Sequence, residues 1–145
     1  MARNESNPPF DWQAWYGACG GRVDHTPGAS EIVAEIYTKQ SVEFQGPAAE
    51  EKTPFDTAEQ AARFVKTAAR AAGAAAVGIT RIEPSDVYHG RTVSETYAIA
   101  IGQRMRWKHF QTVPSINSGV ECCRVYQDLG EICISVARAL RDRGF

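Results

Sequence analysis

Residues 58–80 read AEQAARFVKTAARAAGAAAVGIT, an alanine-rich stretch of helical spacing that passes through Gly73 into a short apolar run. Asp56 or Thr57 stands where a helix cap belongs, and Glu59 or Gln60 completes the capping-box pattern. At 100° per residue, Ala58, Phe64, Val65, Ala68 and Ala72 fall within about 60° of Ala61, while Glu59, Arg63, Lys66 and Arg70 lie opposite. The spacing predicts a helix over residues 56–72, stopped by Gly73, whose mostly alanine stripe invites close packing. Ala74–Thr80 then has the length and content of a strand.

Outward from this unit, Tyr97–Gly102 (YAIAIG) is a second strand, and both runs are apolar enough to predict burial on both faces. Between them, residues 83–95 carry Pro84, Gly90 and several polar residues and read as a surface loop. A last helix is expected from about Gly119 to Arg143. On its wheel Tyr126, Leu129, Cys133, Val136 and Leu140 lie within about 40° of Cys122, with Arg124, Asp128, Glu131, Arg138 and Asp142 on the far side. The wheel predicts that the Cys122 side is the buried one, with Leu129 and Val136 nearly inaccessible.

Residues 1–55 are different in kind, with most of the prolines and an aromatic cluster at Phe10, Trp12, Trp15 and Tyr16. They read as an extended arm, distinct from an α/β domain over residues 56–145. Within the arm, Ile32, Ile36, Tyr37, Val42 and Phe44 keep neither a helical nor a strand period, which predicts a short helical turn followed by a strand.

A formal charge of -1 supplies no overall field for phosphates or acidic membranes, so nucleic acid is not an expected partner. No apolar run reaches the roughly 20 residues of a membrane span, and residues 1–10 lack a signal core or twin arginine, which predicts a cytoplasmic protein with reduced thiols. The cysteines are Cys19, Cys122, Cys123 and Cys133. Cys122 and Cys133 sit about 16 Å apart along one helix, and adjacent Cys122 and Cys123 diverge by about 100°. None of the spacings is that of a cluster-binding segment, so the thiols read as small packed residues.

His25, His89 and His109 have no metal-ligand spacing, and Gly20–Gly21 neither follows a predicted strand nor opens a helix. The segment Gln103–Trp107 (QRMRW) puts two arginines and a tryptophan directly after a strand, which reads first as a solvated strand end and second as a place for cation-to-ring contact or anion binding. No nucleophile has a base at motif spacing, so the residues nominate no catalytic, cofactor-binding or metal-binding residue.

Four phrases in order give the chain a resemblance: Ala61–Ile82 (AARFVKTAARAAGAAAVGITRI), Tyr97–Trp107 (YAIAIGQRMRW), Thr112–Ser115 (TVPS) and Val125–Phe145 (VYQDLGEICISVARALRDRGF). From Asp56 onward, about 60% of its length, the chain resembles the N-terminal region of reductive dehalogenases, which group with epoxyqueuosine reductases among corrinoid iron-sulfur enzymes. Phe145 stands where that family usually has tyrosine, and Arg104 replaces an acidic residue before Met105.

The resemblance implies a nitroreductase-like α/β (α+β) half-domain, a small sheet flanked by helices, preceded by the arm. It also implies that cobalamin, two [4Fe-4S] clusters, the catalytic residues and the organohalide substrate belong to a second half, which this chain would brace. The partner would then be that half or, as a dimer, a copy of the chain itself. The alternatives are a self-associating module without cofactor and an epoxyqueuosine-reductase-like enzyme acting on tRNA.

Overall fold

The computed structural model describes residues 28–113 and 115–145. Phe10, Trp12, Trp15 and Tyr16 lie outside the described residues, as do Cys19, Gly20, Gly21 and His25. What is described is a small mixed α+β arrangement in which helices flank a two-stranded antiparallel sheet.

The described residues begin with α1 (Ser30–Glu35), which continues without a break through a π-helical turn (Ile36–Gln40) into α2 (Ser41–Glu43). The strand expected after a short helical turn is absent here. The π turn explains why neither period fitted: one residue extra per turn throws later apolar positions out of phase with earlier ones. The same widening accompanies the docking of Gln40, whose Nε2 donates to the Gln127 carbonyl at 2.9 Å.

Helix α3 (Ala58–Ala71) starts as its sequence dictates. Thr57 is the extended cap and accepts from the Gln60 amide, while the Asp56 amide donates to Gln60 Oε1 at 2.7 Å. Gly73, at φ +101°, takes the left-handed turn that ends it. Val65 and Ala69 are its buried residues, with Phe64, Ala68 and Ala72 packed around them. The buried stripe is therefore centred toward Ala69, and Ala58 is exposed.

Strands β1 (Ala76–Arg81) and β2 (Tyr97–Gly102) pair antiparallel, with Ala76 opposite Gly102 and Arg81 opposite Tyr97. Side chains alternate across such a sheet. Val77, Ile79 and Ile101 face the core made by Val65, Ala69, Ile132 and Val136. The opposite face carries Ala76, Gly78, Thr80, Ala98, Ala100 and Gly102, and most of it is exposed. This corrects the expectation of burial on both faces: among the described residues, helices cover one face and the other is mostly exposed. The 83–95 stretch is a largely exposed connection, as Pro84, Gly90 and its polar residues suggest, with a single 3-10 turn at Pro84–Asp86.

After β2 come the short α4 (Trp107–Phe110) and the long α5 (Ile116–Arg141), whose first turn is closed by a reciprocal Ser115–Ser118 capping box. Val136 is buried and Leu140 packs on the core, as the wheel predicts. The rest of the wheel needs correction. Tyr126 is 69% exposed, Leu129, Cys122 and Cys133 are half-buried, and the buried residues are Ser118, Glu121, Ile132, Ile134 and Val136. These positions do not lie on one stripe, because α5 is covered by α3 and the sheet on one side and by α1 and the π turn on another.

The C-terminal end of α5 is strapped by residues 44–55. Ala49 and Thr53 amides donate to the Arg141 and Arg143 carbonyls at 2.8 and 2.9 Å. Phe55 stacks on Phe145 and meets Phe64, both at 5.3 Å between centroids, and the Arg143 guanidinium lies 4.4 Å from the Phe55 ring.

Candidate functional site

The densest polar constellation lies where the chain leaves β2 and meets the start of α5. Its centre is Glu121, the largest fully buried side chain among the described residues, at 1% exposure. A carboxylate is costly to bury unless its lone pairs are all taken up. Here they are: the Arg106 amide donates to Oε1 at 2.6 Å, Arg106 Nε and Nη2 both reach Oε2 at 2.7 Å, and Arg124 donates to Oε1 at 2.8 Å and to Oε2 at 3.1 Å. Arg124 also pairs with Asp128 and donates to the Arg104 carbonyl at 3.2 Å.

These contacts fix the carboxylate in its charged form. Hydrogen bonding to Arg124 holds the Glu121 pKa down at about 2, against the opposing pull of burial, with the Arg106 amide and guanidinium adding to the lowering. With its pKa held that low and both oxygens bonded, Glu121 serves as a fixed charge. What it does is clamp the strand exit, residues 104–106, onto α5.

Of the sequence candidates, Gln103–Trp107 therefore contributes through Arg106 and the Arg104 carbonyl, while the Trp107 ring stays 70% exposed, 6.2 Å from Phe110. Glu121 itself was not among the candidates. Its only sequence trace is an arginine three positions on, too common a pattern on a helix to single it out.

Burial pushes the thiols of Cys122 and Cys133 above the ordinary range, and the neighbouring Glu121 charge adds to this at Cys122. Cys123 is half-buried beside them. His89 is exposed on the loop and His109 half-buried on α4. Among the described residues, no three His, Cys, Asp or Glu side chains are placed to hold a metal.

A second feature is an open groove of about 600 Å³ lined by Thr80, Ile82, Asp86, Val87, Tyr88, Arg91, Thr92, Val93 and Ala98. Its volume is that of a small-molecule site, but such sites are enclosed and converge several polar groups on the ligand. This one is broad, and Asp86, Tyr88 and Arg91 are exposed. Among the described residues no helix is long and apolar enough to cross a membrane. Comparison with family models, with curated proteins and with solved structures finds no match for this chain.

Proposed function

We propose that this chain is the N-terminal, non-catalytic half of a cobalamin-dependent reductive dehalogenase acting in the cytoplasm. Its role is to brace a second half that holds the corrinoid and the iron-sulfur clusters. The observation that carries the reading is the open sheet: two strands, one face packed on helices, and an outer face of alanine, glycine and threonine that is mostly exposed. Two strands are few for a stable sheet, and a nitroreductase-like half-domain gains its remaining cover from its other half. The four resembling phrases also fall on consecutive elements, namely α3 with β1, β2 with its exit, the cap of α5, and α5 itself.

Among the described residues, the spacing of Cys122 and Cys133, about three turns apart on α5, does not suit joint ligation of one iron-sulfur cluster. No step of the dehalogenation is assigned to this chain. Its contribution is geometric: the Glu121 clamp holds the β2 exit against α5, and the helical layer holds the sheet.

The test is anaerobic isolation of the native assembly that carries this chain. It should show cobalamin absorbance and iron, and should release halide from an organohalide when supplied with a low-potential reductant. The chain by itself, mixed with hydroxocobalamin and gel-filtered, should emerge free of corrinoid. A native assembly without corrinoid overturns the dehalogenase reading, and a chain that retains the corrinoid unaided overturns the bracing role.

A further inference from the structure

Strand β2 has an edge that faces away from β1. The Ile82 amide donates to the Thr96 carbonyl at 2.9 Å, and in an antiparallel ladder such hydrogen-bonded pairs recur every second residue, at Thr80 with Ala98 and Gly78 with Ala100. The backbone amides and carbonyls of Tyr97, Ile99 and Ile101 therefore point outward. Among the described residues, no backbone bond outside the β1–β2 ladder reaches their amides.

Proteins ordinarily blunt such an edge with a charge, a proline, a bulge or a covering element. The sequence YAIAIG has no charge and no proline, its ladder with β1 runs without a register shift, and Tyr97 and Ile99 are 63% and 38% exposed.

We infer that this edge is a homotypic strand-addition surface, on which β2 of a second copy pairs antiparallel about a two-fold axis at Ile99. The register is self-complementary. Ile99 lies opposite Ile99 of the copy, Tyr97 opposite Ile101, and Ala98 opposite Ala100, so apolar side chains meet on the core-facing side and small ones on the other. No charge meets a like charge across the axis, and about six backbone hydrogen bonds form in a sheet now four strands wide. A closed two-fold contact satisfies both copies at once and stops there. The contact concerns the chain as it stands and does not depend on the corrinoid reading.

Sedimentation of the complete chain at about 50 μM, a concentration suited to a micromolar dimer, should give a dimer. Ile99→Pro, which deletes an outward amide without touching the β1 ladder, and Ile99→Lys, which sets two like charges face to face, should each raise the dimer dissociation constant by roughly tenfold or more. Circular dichroism of both variants checks that the helices persist.

Ile99→Cys should cross-link to itself under mild oxidation, since paired residues across such a ladder lie within disulfide reach, whereas Tyr97→Cys should not. The wild-type chain, oxidised in parallel, accounts for its own cysteines. A monomeric wild-type chain overturns the inference, whether its β2 amides exchange freely or are protected by another segment of the same chain. A dimer indifferent to both Ile99 substitutions overturns it as well.

Discussion

At the scale of single residues, Glu121 sets the terms. Its carboxylate takes hydrogen bonds from two arginines and a backbone amide, so Glu121→Ala leaves all of these donors short of a partner. Breaking a buried pair of this kind costs about 3 to 5 kcal/mol when both partners are sequestered. Arg106 and Arg124 keep 52% and 26% of their side chains in solvent, and water can resume part of their solvation. A loss of about 2 to 3 kcal/mol in urea titration is expected at neutral pH.

The pH dependence follows from the same contacts. The folded-state pKa is depressed from 4.5 to about 2, so the stabilisation is complete above about pH 4.5 and fades as pH falls toward 2. Repeating the titrations between those limits should show the wild-type advantage over Glu121→Gln shrinking by up to about 3 kcal/mol, while between pH 5 and 8 it stays level.

At the scale of elements, the contact between the π turn and α5 rests on the absence of a side chain. A Cβ at Gly130 would come 2.0 Å from Gln40 Oε1, and Gln40 is buried with its amide bonded to the Gln127 carbonyl. Alanine is better than glycine inside a helix by about 1 kcal/mol, so Gly130→Ala pits helix propensity against docking. Docking should win by about 1 kcal/mol, because Gln40 must leave its bond and its niche. In a Gln40→Ala background the sign should reverse, and a double-mutant cycle of denaturant midpoints reads the coupling directly. In the core, Ile132→Ala should cost about 2 to 5 kcal/mol, and Leu140→Ala less, since Leu140 is only half-buried against the cluster.

Helix α3, β2 and the loop between the strands were legible because their signals are local: a Thr57 cap, a Gly73 stop, an apolar run, a proline. The faces of α5 were not. A wheel assumes one dry side, and α5 has neighbours on two, so Ile132 and Ile134 are both buried while Tyr126, on the favoured stripe, is exposed. Residues 30–43 failed for a different reason, since a π turn leaves no trace in the period except its loss. Glu121 was hidden because Arg124, three positions on, is an ordinary helical neighbour, and Arg106 reaches it from the β2 exit fifteen positions away, a pairing that only the packing of β2 on α5 creates.

At the scale of the molecule, the connection between the strands is one of the most exposed stretches among the described residues. Residues 83–95 are nearly all exposed, with Arg91 at a turn after Gly90. Among the described residues, limited trypsin digestion should cut after Arg91 before it cuts within α3 or α5, as peptide mapping would show.

The docking of residues 30–43 on α5 also has a temporal consequence. Their bonds run from Glu35 and Gln40 to Gln127 and from Phe44 to Arg141, closing stretches of 92, 87 and 97 residues. Loop closure of that span is entropically expensive before anything holds its ends, whereas the β1–β2 hairpin closes over a short connection. The hairpin should therefore assemble early and the N-terminal helices join last. Read backwards, those helices peel away first, and in native-state hydrogen exchange the amides of residues 30–43 should open at lower free energy than those at the centre of α5.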